Sequence, residues 1–175
     1  SKTALYSLKD AGLDVIGIGK IPDIFVDQGI TRKIKTVSNE DGMNKTIELA
    51  SDNFNGLAFI NLVDFDAVYG HRRNAAGYGK AIEEFDVQLG ELINELKNDD
   101  LLMVTADHGN DPTYRGTDHT REQVPLIIYS KQFNEMKVLN DGDSFGIIGS
   151  TICYNFNVKY NGIGSFNDGF VLVRA

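Results

Sequence analysis

With one cysteine, Cys153, the chain has no means of forming an internal disulfide, which suits a reducing compartment. Its place in an apolar stretch marks it as a small buried hydrophobe. No apolar run approaches the roughly 20 residues a membrane span needs, and no segment resembles a secretory leader. These absences point to a cytoplasmic protein with no membrane partner. Positive charge is also in short supply, with 17 Lys and Arg against 25 Asp and Glu and a net charge of −8. That balance argues against a nucleic-acid partner. Repeats, low-complexity tracts and linkers are missing too, so the 175 residues read as one domain with ample length for a core. The first residue is Ser1 rather than methionine, which suggests processing or a piece of something longer. What remains is ordinary for a soluble globular protein, with 42% hydrophobic and 24% charged residues.

The apolar pattern alternates between two periods. Residues 2–11 form a short helical pattern with Ala4, Leu5 and Leu8 on one face and Gly12 as a stop. Asp14 to Gly19 is a short apolar run typical of a buried strand. Residues 20–37, with Pro22 and Gly29, read as a loop containing an edge strand. Ser38 caps a helix over 40–51, with Asp41 as a variant of the capping box. Leu57 to Val63 is a second buried strand. The clearest helix covers 76–97, where Ile82, Phe85, Leu89, Leu92, Ile93 and Leu96 step by three and four. Further strands follow at Leu101–Thr105 and Val124–Tyr129. A last helix runs from Ser144 to Phe156, capped by Asp143 or Ser144. The tail from Asn161 to Ala175 has no clear period. Alternating helices and apolar strands predict an α/β fold, a mainly parallel sheet with helices on both faces.

All three histidines lie beside acidic residues past the ends of these strands. Asp66 and His71 follow the second strand, Asp107 and His108 the third, and His119 comes eleven residues later in a polar loop. Oxygen and imidazole donors in this mixture suit Mn, Zn or Fe. The carboxyl ends of parallel strands are where open α/β sheets bind their ligands. Gly70 and Gly109 flank the two clusters and would permit the bends that turn neighbouring side chains into one cleft. A lone histidine near a strand end is usually a hydrogen-bonded structural residue, but three beside carboxylates fit a pair of divalent ions roughly 4 Å apart. Asp64 reads as a hydrogen-bonded neighbour, placed by strand alternation on the same side as Asp66. An acidic protein that handles phosphates needs local positive charge, and bound cations would provide it.

The chain resembles the phosphopentomutases of the alkaline phosphatase superfamily along nearly its whole length. The resemblance rests on Ile18-Gly19-Lys20-Ile21, on Asn61 to Asp66 with Gly70-His71-Arg72, on Thr105 to Pro112, and on Gly116 to Glu122. Thr105-Ala106-Asp107-His108-Gly109-Asn110 is shared with cofactor-independent phosphoglycerate mutases. The four residues between Asp66 and His71, and the sequence Gly116-Thr117-Asp118-His119-Thr120-Arg121, favour the pentomutase. The resemblance implies an isomerase with two Mn²⁺ ions that interconverts ribose 1-phosphate and ribose 5-phosphate, and the deoxyribose equivalents, through a phosphothreonine. It implies that Asp66, His71 and His119 hold one ion, that Asp107 and His108 hold the other with a further aspartate, and that Lys20 faces the sugar phosphate. The bland alternative for Lys20 is a surface lysine after a strand. No threonine here matches the nucleophile's context; Thr105, Thr117 and Thr120 sit within the ligand motifs. The expectation is therefore the carboxyl-terminal portion of the metal-binding core, residues 1–175, without the cap domain, the amino-terminal core strands or the sixth ligand, and with a poor fit from Ile163 to Ala175. A catalytically inert metal-binding chain and a related phosphoglycerate mutase or phosphatase-like metalloenzyme are the alternatives.

Overall fold

The structure, a computed structural model, describes residues 2–142, 144–160 and 162–164. The tail beyond Gly164, Asn161 and the proposed cap Asp143 lie outside the described residues. Three parallel strands in the order β2-β1-β3 form the principal sheet. They are β1 (Asp14–Ile18), β2 (Arg32–Ile34) and β3 (Gly56–Ile60). The central strand is the most buried, from Val15 to Ile18 throughout. Its side chains alternate between two cores. Val15 packs with Leu5, Leu8, Ile21, Ile30 and Cys153, while Ile16 and Ile18 pack with Leu49. The expectation of helices on both faces is thus met, by α1 (Ala4–Asp10) and α5 (Gly146–Asn155) on one side and α3 (Asn39–Ser51) on the other.

Local chemistry sets the helix limits. Thr3 accepts the Tyr6 N–H at the start of α1, and Gly12 ends the turn with φ +81°. Ser38 caps α3 by accepting the Asp41 N–H at 3.1 Å. Asp41 does not return the bond to Ser38; it accepts from the Val37 N–H and binds Lys45, and these contacts hold its carboxyl below the ordinary carboxylate range, Lys45 contributing most. Residues 20–37 contain the short helix α2 (Ile21–Ile24), with Pro22 in its first turn, before the edge strand β2.

The long helix α4 (Ala75–Glu95) packs on α3, and the predicted stripe is buried or half-buried from Phe85 through Leu96, departing only at Ile82. Ala81 and Leu92 are buried, whereas Ile82 is 47% exposed. Gln88 joins the two helices, its Nε2 donating to Glu40 O and Asn44 Oδ1. Two strands differ more. β4 (Leu102–Thr105) and β5 (Leu126–Tyr129) pair antiparallel in a ladder of their own. No helix lies between them, so the chain returns without the crossover a parallel neighbour requires. Pro125, lacking an N–H, delays the start of β5 relative to the predicted Val124. Among the described residues no helix is long and apolar enough to cross a membrane.

The registers bring the carboxyl ends of β1 and β3 side by side, with Ile18 opposite Ile60 and the Asn61 N–H bonded to Ile18 O. Gly19 must be a glycine at this rim. Its φ is +72°, and a Cβ there would lie 2.7 Å from Asn61 O.

Candidate metal centre

β3 ends at Ile60, three residues short of the predicted Val63, and the chain then winds into a π-helical turn, Phe65–Gly70. The turn explains the spacing of the first ligand pair. In a π turn the N–H of one residue bonds the carbonyl five back, so residues five apart stand one above the other. The His71 N–H bonds Asp66 O at 2.9 Å, and His71 Nε2 consequently stands 3.3 Å from Asp66 Oδ2. This geometry corrects the strand-based placement of Asp64. Asp64 and Asp66 do not share a strand face: Asp64 Oδ2 accepts the Asn39 N–H at the start of α3, and its own N–H bonds Asn39 Oδ1.

The third and fourth donors, His108 and His119, come from the connection between β4 and β5. Gly109 and Thr120 form an isolated antiparallel bridge, with the Thr120 N–H on Gly109 O at 3.1 Å. That bridge sets His108 against His119, their rings stacked with centroids 3.7 Å apart. Neither Gly70 nor Gly109 has a positive φ, although the chain turns beside each of them. Both are needed for space. A Cβ on Gly109 would meet Glu122 Oε2 and the Thr120 carbonyl, and one on Gly70 would lie 2.5 Å from Asn110 Nδ2.

Four of the five predicted metal ligands therefore converge. One ligand atom each from Asp66, His108 and His119 lies within 4.8 Å of the others. His119 Nε2 is 3.3 Å from Asp66 Oδ1 and 3.1 Å from His71 Nε2. Asp107 stands apart. Its side chain is 76% exposed, and its nearest approach to the group is 3.7 Å, to His108 Nε2. His108 lies between the two expected groups, close to the Asp66 and His119 donors and also beside Asp107. Lys20 is exposed at the amino end of α2, on the rim shared with Asn61.

The donor chemistry fits a cation. His71 Nδ1 faces the Thr117 carbonyl, which can only accept, so Nδ1 carries the proton and a neutral ring presents a lone pair at Nε2. His108 Nδ1 is similarly engaged by Gly109 O at 3.2 Å. Imidazole nitrogens and carboxylate oxygens facing one another at 3.1–3.3 Å repel unless positive charge lies among them. A proton relieves one such contact; a divalent cation relieves all of them together. Imidazole held through its second nitrogen by a backbone carbonyl is the usual support of a metal-binding histidine.

Two residues the sequence reading passed over hold this group in place. Asn110 is buried, and its Nδ2 donates to Asp66 Oδ1 at 2.6 Å. Arg73 donates to Asn110 Oδ1 and to the carbonyls of Gly70, Asp111, Gly116 and Asp118. No periodicity could reveal it; its one unusual local property is a left-handed backbone, φ +53°, which is not visible in residue order. Thr120 is structural as expected, its hydroxyl accepting from the Asp111 N–H and donating to Glu122. Nearby, burial and then the Asp66 carboxylate hold the Tyr78 phenol above its ordinary range. Asp111 is held below the usual carboxylate range, chiefly by hydrogen bonds from Thr113.

The Metalloenzyme superfamily model matches residues 3–160. The curated phosphopentomutase of Agathobacter rectalis is 56% identical over 157 residues, which cover 90% of this chain and 40% of that protein. Phosphopentomutases of Clostridium beijerinckii and Clostridium botulinum are 54% and 56% identical over the same share of each chain. The chain thus spans about 40% of the length of the curated relatives it matches.

Proposed function

The chain belongs to the Metalloenzyme superfamily, and from that premise we propose that it is the metal-binding part of a phosphopentomutase. The observation that carries this reading is the 54–56% identity to phosphopentomutases over a region that contains every candidate ligand. The proposed reaction interconverts ribose 1-phosphate and ribose 5-phosphate, and the deoxyribose equivalents, in the cytoplasm. Its partners are small pentose phosphates rather than nucleic acid or membrane, in keeping with the net charge of −8.

In this reading Asp66, His71 and His119 hold one Mn²⁺, and His108 and Asp107 belong to a second. When bound, such ions neutralise phosphate charge and clamp the attacking and leaving oxygens of a transferring phosphoryl group. The residues of this chain do the positioning. The π turn and the Gly109–Thr120 bridge aim donors from separate loops at one point, so little reorganisation is needed when a charged substrate arrives. Asp107, exposed beside His108, has the freedom to turn toward an ion or a phosphate ester. Lys20 lies on the same sheet rim as the segment leading to Asp66, within the region where a sugar phosphate would sit, and its ammonium would bind the phosphate as a point charge. The phosphothreonine of the proposed mechanism matches no threonine in these residues, so the reading assigns the nucleophile, the cap and the sixth ligand to sequence outside them.

The test is an isomerase assay with Mn²⁺, ribose 5-phosphate and a bisphosphate activator. It compares the 175 residues with the product of the complete reading frame that contains them. We expect interconversion by the latter, its loss on Asp66→Asn, and none by the 175 residues alone. Absence of pentose-phosphate turnover in the complete product would overturn the assignment.

A further inference from the structure

We infer that Arg73 is a positioning residue whose guanidinium aligns the metal ligands Asp66, His71 and His119 through Asn110 and the 116–118 backbone. The inference rests on the metal-centre reading above. Its starting point is an outlier. Arg73 holds φ +53°, a conformation that glycine or asparagine adopts at less cost. An arginine there needs a reason in its side chain.

The contacts supply one. Nη1 donates to Asn110 Oδ1 at 2.7 Å, and the other end of that amide, Nδ2, donates to Asp66 Oδ1 at 2.6 Å. The guanidinium thus fixes which way the amide faces, since a flipped Asn110 would turn its oxygen toward the carboxylate and its NH₂ toward the cation. On the other side, Nε bonds Gly116 O, and Nη2 bonds Asp118 O at 2.6 Å. Those two carbonyls bracket Thr117, whose carbonyl receives the His71 Nδ1 proton, and Asp118 immediately precedes His119. Further bonds to Gly70 O and Asp111 O tie the same group to the residues before His71 and after Asn110. All five acceptors are neutral oxygens. Only a planar fork reaches acceptors on three segments simultaneously; a lysine ammonium does not.

The experiment is Mn²⁺ calorimetry on wild type, Arg73→Lys, Asn110→Ala and the double variant, with the electron paramagnetic resonance line shape of bound Mn²⁺ and thermal unfolding without metal. Outer-sphere partners of metal ligands typically contribute 10–100-fold in affinity. We expect Arg73→Lys and Asn110→Ala each to weaken Mn²⁺ binding by about that range and to alter the line shape. We further expect the double variant to lose less than the product of the two single losses, because both act on Asp66. Asn110→Ala leaves the arginine's backbone bonds intact, so it decides the matter even where Arg73→Lys fails to fold. A lower melting temperature with wild-type Mn²⁺ affinity in either folded variant would overturn the inference. Wild type that binds no Mn²⁺ would instead overturn the metal-centre reading, and the inference with it.

Discussion

Gly70→Ala isolates the packing that holds Asn110 against Asp66. A new Cβ at this position would lie 2.5 Å from Asn110 Nδ2 and 2.7 Å from its Cγ. Comfortable contact needs about 3.5 Å, so the amide must retreat by roughly 1 Å. It has little freedom to do so, being held by Arg73 at one end and Asp66 at the other. Two terms oppose each other. Because Gly70 is not in a left-handed conformation, alanine gains roughly 0.4–1 kcal/mol by restricting the unfolded chain. Overpacking costs roughly 1–3 kcal/mol, and stretching a hydrogen bond to a carboxylate costs about another 1.5 kcal/mol where no water replaces it. The losses win, leaving a net destabilisation of about 1.5–4 kcal/mol and a melting temperature lower by roughly 3–16 °C at this chain length. Mn²⁺ affinity should fall roughly tenfold as Asp66 loses its orienting donor. Scanning calorimetry and Mn²⁺ titration on the same sample measure both. An alanine variant that melts at or above wild type and binds Mn²⁺ equally well would show that the Gly70–Asn110 contact does not orient Asp66.

Three further outcomes can be measured independently. His119→Ala should weaken Mn²⁺ binding by more than tenfold, and Asp107→Ala by less, because His119 touches Asp66 and His71 whereas Asp107 is exposed; equal losses in calorimetry would refute the observed grouping. Leu8→Ala, fully buried between α1 and β1, should cost about 2–5 kcal/mol in denaturant unfolding, and a cost under about 1 kcal/mol would mean that this core is loosely packed. Burial pushes the Cys153 thiol up to about 11 from its ordinary 9.0, so the folded state holds this proton more tightly than the unfolded one. Its contribution is therefore fully present below pH 9.0 and lost as pH rises through about 11, amounting to at most about 2–3 kcal/mol. Thiolate absorbance that appears in the native protein near pH 9.0 would contradict this.

Much of the fold was legible because the deciding interactions are short in sequence. The Ser38 cap, the Gly12 stop and the three-four stepping in α4 each involve neighbours within a turn or two, and each produced the element it announced. The errors lie where a distant partner intervened. Ile82 belongs to the apolar stripe yet is 47% exposed, while its neighbour Ala81 is buried. β4 and β5 have ordinary strand composition, and nothing in it distinguishes a parallel from an antiparallel neighbour. Their direction followed from the absence of a crossover helix.

The candidate centre divides in the same way. Residue order by itself determined the donor types, the clustering of all three histidines beside carboxylates, and their position past strand ends, since these depend only on which side chains follow which apolar runs. Only the tertiary structure decided that His108 stacks on His119, that Asp107 is left exposed, and that Asp66 is aimed by Asn110 and Arg73. The physical reason is separation along the chain: Asp66 meets Asn110 across 44 residues and His71 meets His119 across 48. Such distances are set by sheet registers, by a π turn whose hydrogen-bond pattern has no signature in residue type, and by one guanidinium bonded to several loops.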